Sequence, residues 1–403
     1  MKSLRKSKTV YVLGAGFSYG GGLPLQTQIL GRILNYEFNI LTGEKSDYFI
    51  QLSKLFLPQK KSLKEFLDKV FSSSQIPSLE DVFTLLDQTI AQRSYCLGYS
   101  WLELNSIREA LKYAVLIIFH DATERLKEER EEFYKLLATI FIDRRTGVSL
   151  KDDPFSIISL NWDTLLEDSI YWCLGQTKGL RKVDIDYCCY TTPLGKSCPH
   201  TPSLVQKAKK IYNIKILKLH GSTNWLLCPN CHRLYTGIGA KENVWDLYAL
   251  PRYCDNCRKL NESDSLHSFP KLEPFFITPT YAKVFDNTHI QMIWHNAHVE
   301  LAEADKVVFI GYSLPEADYH LRTLIRRAIR TDTQLDVVLR NSDRPDHSVT
   351  ERIKKFYAVT RYRDFFGIGK VNFYLKGVKS YFAKDIGKKT LRVNLRRLCK
   401  RLL

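Results

Sequence analysis

No apolar run in this chain approaches the roughly 20 residues needed to cross a bilayer, and the nearest, Ala114–Phe119, is far too short. The basic start has no apolar region behind it, so no secretory signal is expected. Internal repeats, low-complexity tracts and a recognisable sensor module are missing as well. The protein is therefore expected to be soluble and cytoplasmic, where its 10 cysteines point to metal or free thiols before disulfides. Acids are outnumbered: 43 Asp and Glu stand against 60 Lys and Arg, a formal charge of +17 that suits an anionic partner. The imbalance is steepest in Gly369–Leu403, where Asp385 is the one acid and Leu391, Leu395, Leu398 and Leu402 line one helical face. That basic tail reads as a solvated or subunit-docking helix of a homo-oligomer, with nucleic acid as the alternative partner.

What is present begins with TVYVLGAGFSYGGGLP, Thr9–Pro24. Thr9–Leu13 is a β-branched and aromatic run suited to a buried parallel strand, and it stops at Gly14 and Gly16. Glycines there either end a strand or let a pyrophosphate approach the amides that open the next helix. Tyr19 occupies the place of the third glycine in the dehydrogenase fingerprint, and Glu37 lies near the distance of a ribose-binding acid.

From Gln26 the pattern turns helical, first over Gln26–Leu41 and then from about Ser46 to Arg145. Leu63, Phe66, Leu67, Val70 and Phe71 share one face; Ser78 and Asp81 make a capping-box start ahead of Leu79, Val82, Phe83 and Leu86; Ile107, Leu111, Val115, Ile118 and Phe119 form a third stripe. Strand-like runs then return at Phe155–Leu160, Ile214–Leu219, Pro274–Thr278, Lys306–Ile310 and Leu335–Leu339. Helical patterns at Thr164–Trp172, His289–Ala304 and Glu316–Arg330 separate several of them. The expected fold class is α/β, an open Rossmann-like parallel sheet covered by helices and interrupted by a helical module, with ligands beyond the carboxyl ends of the strands.

Two CxxC pairs, Cys228/Cys231 and Cys254/Cys257, lie 22 residues apart. Two such knuckles complete a tetrahedron of thiolates, which predicts a closed structural zinc ribbon with no open position for catalysis. Cys96, Cys173, Cys188, Cys189, Cys198 and Cys399 lack this spacing; Cys198 and His200 resemble a ligand pair that nothing nearby completes. Two strand ends carry further chemistry. SLNWDTLLED puts Asn161 and Asp163 past one strand, and KLHGSTNW puts His220 and Gly221 past another. Asn, Asp and His converging at a sheet edge can position water and polarise a sugar hydroxyl, although each alone is more often a cap or turn residue.

In this combination the sequence resembles the sirtuin-like NAD-consuming proteins of bacterial antiphage defence. The resemblance runs through GAGFSYGGGLP, Asn161-x-Asp163, the LHG of His220, the four-cysteine ribbon, IGYSLPEAD at Ile310–Asp318 and VVLRN ending at Asn341, with SLED at Ser78–Asp81 also familiar from that branch. It implies a sirtuin-type fold in which Gly14, Ala15, Gly16 and Ser18 hold the diphosphate. It further implies that Asn161 and Asp163 face the nicotinamide ribose, His220 is the catalytic base, and Gly311, Ser313 and Asn341 hold the adenosine side. A deacetylase of the family would continue from the glycine loop into Pro-x-Phe-Arg and would place Phe-Gly-Glu after the ribbon. This chain has LPLQTQI and FFITPTYAKVF instead. The acyl-lysine tunnel is thus not recognisable, and water is favoured as acceptor.

The resemblance implies an NAD+ hydrolase with structural zinc, draining NAD+ in defence and releasing nicotinamide and ADP-ribose or its cyclised form. A protein deacylase and a non-catalytic NAD or ADP-ribose binding module are the alternatives. Control would lie in assembly, in a ligand or in a separate partner such as a HerA-type hexameric ATPase or a phage protein. Expected domain limits are 1–45 and 151–225 for the first parts of the nucleotide-binding domain, 46–150 for the helical insertion, 226–270 for the ribbon, 271–366 for the last Rossmann-like part and 367–403 for the basic tail.

Overall fold

Thr9–Leu13 forms strand β1, and its apolar side chains are buried at the centre of a parallel sheet. The computed structural model describes residues 7–35, 61–71, 76–124, 128–176, 183–194, 211–236, 252–260, 270–281, 285–340, 349–383 and 385. Glu37, Cys198, His200, Asn341, Cys399 and the leucine face of the tail lie outside them. With β2 (Phe155–Ser159), β3 (Val183–Asp186), β5 (Tyr212–Lys218), β9 (Lys306–Ile310), β10 (Gln334–Val338) and β11 (Val371–Tyr374), β1 builds a 7-stranded sheet in the order β11-β10-β9-β1-β2-β5-β3. Every pairing in it is parallel. β2 is buried at every position and β1 at all but its first, so both faces of the centre are covered and a continuous apolar run, rather than an alternating one, is what the sequence needs there.

From β1 the sheet grows through β2 and β5 to β3 on one side, and through β9 and β10 to β11 on the other. The direction reverses between β1 and β9, and that reversal opens a crevice at their carboxyl ends. The helical module expected after the glycine turn contains the helices Leu79–Ala91, Trp101–Glu124 and Glu128–Thr146 and a helical stretch at 61–71. Ser78 caps the first of them, its Oγ accepting from the Asp81 amide at 3.0 Å. Leu63, Phe66, Leu79, Val82, Phe83, Leu111 and Val115 bury into the same core as the sheet, so the expected stripes are indeed packing faces.

One strand lies elsewhere than expected. The run Pro274–Thr278 predicts a strand of the parallel sheet, but Glu273–Phe276 (β8) belongs to a second sheet of 4 strands in the order β4-β7-β6-β8, with β4 Thr192–Pro193, β6 Gly221–Leu227 and β7 Leu234–Thr236. The cause is Gly221. At φ +72° it turns the chain directly after His220, and β8 crosses so close that a Cβ on Gly221 would sit 2.7 Å from the Phe275 carbonyl oxygen. β6 then pairs antiparallel with β8. The segment after residue 366 also begins as structure, since β11 closes one edge of the main sheet and Phe382 packs against Tyr11 and Phe141.

Candidate functional site

A cavity of about 640 Å³ opens at the carboxyl ends of the central strands. Gly14, Ala15, Gly16, Ser18, Asn161, Asp163, His220, Gly311 and Ser313 all line it, so the structure brings together every described residue singled out in the sequence for nucleotide chemistry. Its wall is largely apolar, with Phe119, Trp162, Ile277 and Pro315 contributing, a composition usual for a small-molecule site.

The glycine turn is shaped first by packing. A Cβ on Gly14 would lie 2.7 Å from Tyr312 Cα, and one on Gly16 would lie 2.8 Å from the Gly311 carbonyl oxygen. Gly311 in turn has φ +63°, and a Cβ there would meet the Phe17 amide nitrogen at 2.1 Å. Three glycines thus let the β1 and β9 loops interlock. The amides of Gly14 and Gly16 donate to the carbonyls of Ile310 and Gly311, and that of Phe17 to Gly14. Ala15 is the exposed residue of this turn.

Asn161 fastens the turn from the β2 side. Its Nδ2 donates to the Gly14 carbonyl and to Ser18 Oγ, each at 3.0 Å, so both amide protons are engaged and the Oδ1 is the end that accepts. Asp163 lines the cavity while its Oδ1 accepts from the Leu165 amide at 3.2 Å, at the start of the helix Leu165–Gln176. Between them the Trp162 carbonyl gathers donors from two strands: the Thr223 amide at 2.9 Å, Thr223 Oγ1 at 3.1 Å and Ser222 Oγ at 3.2 Å from β6, and Lys218 Nζ at 3.4 Å from the end of β5. Lys218 is fully buried and pairs with Glu167 at 2.9 Å. Burial drives the Glu167 carboxyl above its ordinary range, and the Lys218 ammonium opposes that rise. This junction welds the Asn161 loop to the strand end that carries His220.

His220 Nδ1 is 3.2 Å from the Leu160 carbonyl. A carbonyl only accepts, so the neutral ring carries its proton on Nδ1 and presents Nε2 as the basic nitrogen. Trp294 fixes the backbone behind it, its Nε1 donating to the Leu219 carbonyl at 2.9 Å.

Two arginines of the cavity were given no role in the sequence analysis. Arg340, just past β10, lies 4.6 Å from the centre of the Tyr19 ring, and Arg361 donates through Nε to the Ser313 carbonyl at 2.9 Å. Arg340 stands inside VVLRN, where Asn341 was the residue singled out, and no local motif announces Arg361; Tyr19 is visible in the sequence as the break in the glycine pattern.

Away from the cavity, Cys228, Cys231, Cys254 and Cys257 place their sulfurs within 4.8 Å of one another. Zn–S bonds of about 2.3 Å in a tetrahedron require S–S edges of about 3.8 Å. The Cys228–Cys257 and Cys231–Cys254 separations are 3.8 and 3.5 Å. Donors already point at the sulfurs, the Cys231 amide at Cys228 and Asn230 Nδ2 at Cys257, both at 3.4 Å, as thiolate ligands need. The four residues fit zinc, which they would hold through sulfur alone.

No family model and no curated protein matches this chain. Solved structures that it is similar to are sirtuins. One concerned with sirtuin substrate affinity shares 14% identity, with 94% of this chain and 93% of that chain covered and a TM-score of 0.36. A second, concerned with the mechanism and regulation of Sir2 enzymes, shares 12% identity over 96% and 94% with a TM-score of 0.36. A Sir2 homolog–NAD complex shares 13% identity over 89% and 90% with a TM-score of 0.31.

Proposed function

We propose that this protein is an NAD+ glycohydrolase of the sirtuin-like type, acting in antiphage defence by depleting NAD+. The observation that carries the reading is the convergence of Gly14–Ser18, Asn161, His220 and Gly311–Ser313, distant in sequence, around one cavity at the reversal point of a parallel sheet. Cleaving the nicotinamide–ribose bond builds positive charge on the sugar, so the site must hold the ribose and present a nucleophile to C1′. In this reading His220 Nε2 takes a proton from a ribose hydroxyl or from the attacking water. Asn161 orients the ribose or water through Oδ1, since its Nδ2 is committed to the turn. Asp163 sets the loop between them. NAD+ and water then give nicotinamide, ADP-ribose and a proton. The four-cysteine cluster would hold zinc as a folding element with no chemical part.

The test is acceptor choice. Incubation with NAD+ alone is expected to release nicotinamide at a rate that an acetylated peptide leaves unchanged. Release that depends on the peptide and yields a deacylated product would establish a deacylase in its place.

A further inference from the structure

We propose that Arg340 and Arg361 supply the counter-charge for the diphosphate of the nucleotide, an inference that rests on the nucleotide reading of the cavity. The glycine turn is short of donors for an anion. The amides of Gly14, Gly16 and Phe17 are satisfied by protein carbonyls, while the Ser18 hydroxyl, which accepts from Asn161, keeps its own proton to donate. Besides that hydroxyl, the Ala15 amide is a main-chain donor of the turn with no protein acceptor among the described residues. A diphosphate is strongly anionic, and neutral donors such as these do not balance its charge.

The compensating groups are the two guanidiniums. Arg340 is held over the Tyr19 ring, the residue standing where the dinucleotide fingerprint has its third glycine, so the fingerprint is broken by the side chain that carries the arginine. Arg361 is held through Nε by the Ser313 carbonyl, beside Gly311 in the loop that follows β9. Neither partner is an acid, so each guanidinium is oriented without being neutralised, and among the described residues neither forms an ion pair. Two of the acids sharing the cavity are engaged elsewhere, Asp163 with the Leu165 amide and Asp318 with the Tyr312 hydroxyl; the third, Glu80, opens the helix Leu79–Ala91. A planar fork of donors kept charged and pre-oriented is what phosphate recognition requires.

The experiment titrates wild type, Arg340→Gln, Arg361→Gln and Arg340→Lys with ADP-ribose and, separately, with adenosine, by calorimetry. Each glutamine variant is expected to bind ADP-ribose about 10- to 100-fold more weakly, the range of a charge-assisted hydrogen bond, with adenosine affinity unchanged. Arg340→Lys should keep part of the ADP-ribose affinity, and circular dichroism should match wild type throughout. Equal weakening toward both ligands, or none toward ADP-ribose, overturns the inference while the cavity remains a nucleotide site. A wild type that binds neither ADP-ribose nor NAD+ overturns the nucleotide reading itself.

Discussion

Replacing Lys218 with Met removes a buried ammonium while keeping most of the side-chain volume. Lys218 and Glu167 are 0% and 4% exposed and 2.9 Å apart, so the change leaves a carboxylate stranded in the interior. Stranding one partner of a buried pair costs about 3–5 kcal/mol, a large share of the 5–15 kcal/mol that holds a typical domain folded. The penalty has a ceiling, because Glu167 escapes it by taking a proton. Burial already raises its pKa in the folded protein, and loss of the ammonium raises it further. A group whose folded pKa lies above its unfolded value favours folding below the unfolded value and loses that contribution as pH rises through the folded one. Lys218→Met should therefore cost about 3 kcal/mol or more near about pH 8 and clearly less near about pH 5, read from urea midpoints by tryptophan fluorescence. Lys218→Met/Glu167→Leu should recover much of the stability, since an apolar pair can replace a buried ionic one. It should not recover nicotinamide release, because the ties from Nζ to the Trp162 and Asp163 carbonyls stay broken. A single variant as stable as wild type, or a penalty that does not change with pH, would refute the reasoning.

Metal analysis should find about one zinc per chain; Cys254→Ser should lose the metal and lower the melting temperature, since binding at a closed site is folding energy. Burial pushes the Asp168 carboxyl up to about 7, so wild-type stability should fall as pH rises from its unfolded value toward that point. Asp168→Asn keeps an acceptor for Thr164 and removes the titration. It should flatten the profile and gain about 1–2 kcal/mol near about pH 8, less than the full linkage value because the residue is partly exposed.

The elements that were legible are those whose signal is local. A β-branched run ending in glycines, a strand ending in Asn161 and another in His220, and two cysteine knuckles are each written within a few residues, and the structure brings the first three around one cavity. The second sheet was not legible. β6 reads as GSTNWLL, too polar for a buried strand, yet Ser222 and Thr223 are buried because their hydroxyls reach the Trp162 carbonyl across the chain. β8 has the same short apolar signature as a core strand, and only the bend at Gly221 decides which sheet it joins. The roles of Arg340, which stands within VVLRN, of Arg361 and of the Lys218 junction are not legible for a related reason: their meaning comes from partners far away in sequence, on Tyr19, Ser313 and the Trp162–Glu167 segment.

The central claim is that His220 acts on NAD+ in the cavity, and a time course of NAD+ followed by proton NMR tests it most directly. Wild type and His220→Ala are compared at equal zinc content and equal NAD+ affinity by calorimetry. General acid–base groups are worth about 10²–10⁴-fold, so wild type should convert NAD+ to nicotinamide and ADP-ribose while the variant binds it and falls behind by that factor. A folded His220→Ala protein that consumes NAD+ at the wild-type rate, or a wild type that binds NAD+ and leaves it intact, would contradict the account.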